Sequence, residues 1–202
     1  AYYEFGPCPD VRTLGENGRG RVAGCKFTYI DKYGSIVISQ RYDYAKEFSE
    51  GLAPVLIGEK WGYIDKKGRT VIQHRFDEAE PFSDGLARVQ LGERYGFIDH
   101  QGVFVIRARY KYADDFSDGL AVVSNNWDEQ HSRYEGFYYI NRRGEQAIGE
   151  KFALAGHYFK GLAHVKLRSN KKKTDEDDEE DKGTFAYIDT SGRKVFTYEG
   201  EK

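Results

Sequence analysis

The 202-residue sequence has no methionine, only two cysteines and four prolines, and no stretch approaching the roughly 20 apolar residues that a membrane-crossing helix needs. Its amino terminus, AYYEFGPCPD, shows no basic region followed by an apolar run. These absences predict a soluble chain with no membrane insertion, and a first residue other than Met points to a removed leader or tag. A surplus of charge is missing too. The formal net charge is −2, and residues 171–182 alone hold seven acids and four bases, which leaves 26 acids against 27 bases elsewhere. A chain this close to neutral offers no electrostatic footprint for nucleic acid.

Signatures of catalysis are absent as well. There is no GxxxxGK, HExxH, GxSxG or paired CxxC, and the glycine cluster GENGRGR from Gly15 neither follows a strand nor leads into a helical pattern. The histidines, His74, His100, His131, His157 and His164, lack the i, i+4 or short loop spacing that chelates zinc. The run KKKTDEDDEEDK lacks the alternating ligands and central glycine of a calcium loop and reads as a solvated hairpin tip. The sequence therefore predicts no catalytic residue, no metal site and no cofactor. Cys8 and Cys25, 16 residues apart in between, leave one disulfide and two free thiols equally open. The disulfide alternative tips localisation slightly toward export, periplasmic or cell-surface, over the cytoplasm.

What the chain has in quantity is aromatic and glycine residues: 16 Tyr, 13 Phe, 2 Trp and 23 Gly, a composition that favours strands and tight turns. They recur in register. An aromatic-Ile-Asp/Asn tripeptide appears at Tyr29-Ile30-Asp31, Tyr63-Ile64-Asp65, Phe97-Ile98-Asp99, Tyr139-Ile140-Asn141 and Tyr187-Ile188-Asp189. Each is followed three residues later by a glycine, Gly34, Gly68, Gly102, Gly144 and Gly192. A second anchor, Gly-Leu-Ala, begins at Gly51, Gly85, Gly119 and Gly161 and keeps the same spacing, 34, 34 and 42 residues. Two residues before each tripeptide aromatic stands another aromatic: Phe27, Trp61, Tyr95, Phe137 and Phe185.

In the second copy these positions read WGYIDKKGRTVI, and the neighbouring copies read RFDEAEPFSDGLARV, YGFIDHQGVFVI and YADDFSDGLAVV. The combination resembles the bacterial WG repeat family over roughly Phe27 to Phe196, although the literal Trp-Gly pair occurs once. The resemblance implies a bacterial source and interaction roles without naming a partner.

Each copy is expected to be a three-stranded antiparallel meander. In the first strand Ala87, Val89 and Leu91 alternate with Leu86, Arg88 and Gln90, as in a half-buried strand. The second turns Trp61, Tyr63 and Asp65 one way and Gly62 and Ile64 the other. An Asp-x-x-Gly turn, in which Asp bonds the backbone two residues on, leads to a third strand such as Thr70-Val71-Ile72. An irregular segment carrying Phe48, Phe82 or Phe116 returns to the next copy. The fold class expected is all-β: a tandem array of about five meanders in an open, twisted, solenoid-like arrangement, with a closed propeller-like ring as the alternative. Residues 1–26 form an amino-terminal cap. The array spans 27–198, with copies starting near 27, 61, 95, 137 and 185, and an acidic insertion lies at 170–183.

Against this regular background one insertion stands out. The third interval is eight residues longer than the first two, and the excess falls in SNNWDEQHSRYEG, replacing the short turn that reads IGEK or LGER elsewhere. Trp127, His131, Arg133 and Tyr134 within it are the candidate partner-binding residues, because insertions in repeat arrays gather on one face and Trp, Tyr and Arg dominate interface hot spots. The alternative is that Trp127 folds back as ordinary packing. Tyr138 and Phe159 also break their columns, replacing Gly and Ser. The column Trp61, Tyr95, Phe137 reads either as inter-repeat core or as an exposed ladder for a glycan. The expected function is a non-enzymatic protein-binding scaffold; the alternative is a carbohydrate or cell-envelope binding module.

Overall fold

The computed structural model describes residues 26–128, 133–168 and 183–200. The expected cap up to Cys25, the Cys8 and Cys25 pair and the acidic insertion through Lys182 lie outside them. Among the described residues every regular element is a β-strand and no helix occurs. The chain divides into two compact bodies, Ala1–Phe82 with His100–Gly102, and Ser83–Asp99 with Val103–Lys202.

In the first body, Phe27–Ile30 and Ile36–Tyr42 pair antiparallel as a two-stranded sheet. A second sheet follows in the order Tyr44–Ala45, Leu52–Ile57, Lys60–Asp65, Thr70–Phe76. In the second body, Ala87–Leu91, Arg94–Ile98 and Phe104–Tyr110 form the next antiparallel meander. It is followed by Tyr112–Ala113, Leu120–Ser124 and Tyr138–Asn141, and then by Leu154–Ala155, Leu162–Lys166, Thr184–Asp189 and Lys194–Glu199. The expected meander is thus present, and a two-residue strand is added beside its first strand. The third strand also runs further than its hydrophobic run suggests, through Tyr42, Phe76 and Tyr110, into residues read from sequence as irregular connection.

A register shift makes that extension possible. Tyr63 pairs with Ile72, but Trp61, two residues back, pairs with Phe76, four residues on. The extra residues bow the third strand over Gly62, where a Cβ would lie 2.6 Å from the Ile72 carbonyl oxygen. Gly96 is equally enclosed, since a Cβ there would lie 2.6 Å from the Ala108 nitrogen and from the Ile106 oxygen. This is why a glycine follows the aromatic in these two copies.

The Asp-x-x-Gly turns behave as their chemistry predicts. Asp65 Oδ1 accepts the backbone N–H groups of Lys67 at 2.9 Å and Arg69 at 3.0 Å. Asn141 and Asp189 accept the corresponding pairs. The turn glycines have a second duty. Besides its φ of 78°, Gly68 has no room for a Cβ, which would meet Ile38 Cγ2 at 2.8 Å, and Gly192 presses on Ile148 in the same way.

Within each body the core lies between successive sheets, and Leu120–Ser124 is buried on both faces. Tyr29, Ile38 and Tyr42 of one sheet pack against Ala53, Val55 and Ile64 of the next. The same arrangement returns with Phe97, Ile106 and Tyr110 against Ala121, Val123 and Ile140, and with Tyr139, Ile148 and Phe152 against Ala163, Val165 and Ile188. Burial of each such large side chain stabilises by about 1.5–3 kcal/mol. The half-buried alternation read for the first strand holds from Ala87 to Gln90, whereas Leu91, expected inside with Ala87 and Val89, is exposed beside the two-residue turn. Phe82 and Phe116 fill the junctions as expected, and Tyr158 takes that place in the fourth junction.

Polar bonds tie the junctions in register. The hydroxyls of Tyr29, Tyr63 and Tyr139 donate to the carbonyls of Lys46, Glu80 and Gly156, at 2.9, 2.8 and 2.7 Å. Ser49, Ser83 and Ser117 donate to the carbonyls of Phe82, Phe116 and Tyr158.

Candidate functional site

The insertion begins where Leu120–Ser124 should turn back into Tyr138–Asn141. The column occupied by Leu56 and Gln90 in earlier copies holds Ser124, which is fully buried. Its hydroxyl donates to the Glu135 carbonyl at 2.5 Å and accepts the Asn126 N–H at 3.1 Å. One side chain thereby fixes both stems of a new hairpin, Asn126–Asp128 paired with Arg133–Glu135. Asn125 joins the base, its Oδ1 accepting the Lys111 N–H at 3.1 Å.

Trp127 pairs across this hairpin with Tyr134, the rings meeting edge-on with centroids 4.8 Å apart. Tyr134 packs in turn on Tyr112 at 5.4 Å, and Tyr112 on the buried Phe137 at 5.3 Å. Trp127 remains 43% exposed at the outer end of this chain of rings. Burial, and then the nearby Asp114 carboxylate, raises the Tyr112 hydroxyl above its ordinary pKa, so it stays neutral at physiological pH. The result is an aromatic lever anchored at its root and open at its tip. Arg133 stands on the return strand opposite Asp128. His131 lies outside the described residues.

Other sequence candidates fall into place differently. Trp61 and Tyr95 are half-buried and Phe137 is buried, with Trp61 packed against the Tyr44 ring at 5.7 Å and beneath the Lys46 ammonium at 4.9 Å. That column forms no open aromatic ladder. Tyr138 sits in the glycine column, packs near Tyr110, and is covered by Lys151. Phe159 is exposed where the other copies place serine. His100 stacks on Phe82 at 4.2 Å and contacts Glu50 at 3.0 Å, while His164 lies among Phe185, Tyr187 and Tyr198. Among the described residues no three His, Cys, Asp or Glu side chains gather in a way that could hold a metal ion. Sequence reading missed Ser124 and Tyr112. The signal for Ser124 was a small polar residue in a column of larger side chains.

The model of the "WG containing repeat" family matches three consecutive segments, 27–61, 61–95 and 95–126. Residues 27–126 are three consecutive repeats of the WG family. The WG match stops at Asn126, where the Trp127 hairpin begins. No curated protein matches the chain. Among solved structures it is similar to Kluyveromyces lactis Hsv2, with a TM-score of 0.53 and 11% identity, over 88% of this chain and 59% of that one. A variant, KlHsv2 with loop 6CD replaced by a Gly-Ser linker, gives 0.53 and 11% over 88% and 60%. Another structure, of Kluyveromyces lactis Hsv2p, gives 0.52 and 12% over 86% and 57%. The WG repeat chain thus spans less than two thirds of the length of these proteins, and at such identity the likeness concerns the fold alone.

Proposed function

We propose that this WG repeat chain is a non-enzymatic scaffold that captures a protein partner through the Trp127 hairpin. The observation that carries the reading is an exposed Trp held by a relay of half-buried Tyr134 and Tyr112 and buried Phe137, on a hairpin that replaces a two-residue turn. A pre-positioned aromatic loses little conformational freedom on binding, which is the property of an interface anchor. The glycan reading loses its support from the Trp61, Tyr95, Phe137 column, since those rings are packed rather than offered to solvent.

A photo-crosslinking amino acid at position 127 tests this in a lysate of the source organism. Discrete protein adducts at 127, absent with the same group at exposed Val71, are expected. Equal adducts at both positions, or none at 127, would count against the hairpin.

A further inference from the structure

The outer face of the last sheet is built from positions that earlier copies bury. Tyr187 pairs with Phe196, and Phe185 with Tyr198. The same pairings in the third copy are Phe97 with Ile106, and Tyr95 with Tyr110. There Phe97, Ile106 and Tyr110 are 0%, 3% and 2% exposed, whereas Tyr187, Phe196 and Tyr198 are 40%, 59% and 38% exposed. Leu162 is 40% exposed against 7% for its counterpart Leu86. Among the described residues no carbonyl accepts from the Tyr187 hydroxyl, although Tyr29, Tyr63 and Tyr139 each donate to one 17 residues on, in the segment that leads to the next Gly-Leu-Ala strand.

A repeat that ends an array as a cap needs a polar outer face. This one is apolar and aromatic, rimmed by charge. Phe185 and Tyr198 stack at 5.5 Å, His164 Nε2 meets the Tyr198 hydroxyl at 2.9 Å, and the Lys166 ammonium lies over the Phe185 ring at 5.7 Å. We infer that this face docks one further WG-type sheet, presented by its Ala–Val–Ile side. The face continues an interface that the chain already makes. In the two preceding junctions of the same body the aromatic face is covered by Ala121, Val123 and Ile140, and by Ala163, Val165 and Ile188. An aromatic plug completes each, Phe116 on Phe97 at 4.7 Å and Tyr158 on Tyr139 at 5.0 Å. The occupant therefore carries a small-residue stripe, an aromatic plug and a carbonyl to accept from Tyr187.

The test extends the chain past Tyr198, in place of residues 199–202. A duplicate of residues 43–76, joined directly after Tyr198, supplies such a sheet, and a second extension made from residues 77–110 guards against one misfolding graft. The expected result is a melting temperature raised by at least about 4 °C and loss of most of the fluorescence of a dye bound to exposed apolar surface. Tyr187→Glu should cancel both gains in the extended chain, yet shift the melting temperature of the unextended chain by less than about 2 °C. Failure of both extensions to raise it, or gains that survive Tyr187→Glu, would overturn the inference. So would a dimer of the unextended chain, seen by light scattering and dissolved by Tyr187→Glu, which would make a second copy the occupant.

Discussion

The second and fourth copies share their anchors and turns of the Asp/Asn-x-x-Gly kind, and differ in the third strand and in the connection before the anchor. Tyr63 and Ile64, like Tyr139 and Ile140, are fully buried. In the second copy Gly62 lets Thr70–Phe76 pass over it as a regular strand; in the fourth, Tyr138 occupies that space. There the third strand shrinks to isolated bridges, Phe137 with Phe152 and Ile140 with Gln146. The two-residue turn at Gly58 and Glu59 is replaced by the Trp127 hairpin in the same copy. The fold thus depends on two buried positions per copy, and edge strand and turn can vary without loss of the core.

Several substitutions would break or sharpen that contrast. Ile64→Asp places a charge between Tyr29, Ile38, Tyr42 and Val55, and should cost at least about 4 kcal/mol and abolish a cooperative melt. An unchanged melting temperature would show that the strand faces are reversed. Gly96→Ala should cost about 3 kcal/mol because its Cβ meets backbone on the adjacent strand. Tyr138→Gly, made where that strand is already reduced, should cost less than half as much in the same denaturant titration, and equal costs would remove the role given to the glycine. Ser124→Ala should cost about 1–2 kcal/mol and speed amide exchange at Asn126, leaving the second copy unaffected.

Smaller effects test the turns. Glu50 sits at a φ of 50° in the Ser49–Leu52 turn, where Asp84 and Asp118 stand in the neighbouring copies. Glu50→Asn should stabilise by about 0.5–1 kcal/mol, because Asn tolerates left-handed backbone better. The smallest effect concerns acid. Hydrogen bonds, first from the Ser191 side chain and then from the Arg193 backbone and side chain, hold Asp189 at about 2, below its ordinary 3.8. A depressed carboxylate stabilises the fold above 3.8, and that contribution is lost as pH falls from about 4 to about 2. Asp189→Asn should flatten the slope of stability against pH in that window.

Strands and turns were legible because their anchors recur with fixed chemistry: Asp accepts two backbone N–H groups, Gly takes the positive φ, and Ile fills the junction. The extended third strand was not, since a register shift arises from contact with Gly62 and Gly96, which no local pattern displays. The pair Tyr44–Ala45 is too short to show a period. Burial of both faces of Leu120–Ser124 follows from stacking, whereas Arg88 and Gln90 leave the matching column of Ala87–Leu91 half-buried, as their sequence suggests. In the candidate site Trp127 was legible as an aromatic outside every anchor, whereas the ring relay beneath it joins Tyr112, Tyr134 and Phe137 from separate segments. The exposure of the last sheet was invisible for the opposite reason: Tyr187 reads like its buried counterparts.

The central claim is that recognition belongs to the hairpin and stability to the repeated junctions. It is tested most directly by a pull-down from lysate of the source organism, using the wild-type chain beside a Trp127→Ala, Arg133→Ala, Tyr134→Ala variant whose fold is checked by its melt. The account predicts a protein retained by the wild type and lost with the folded variant. Retention by both baits, or by neither, would contradict it.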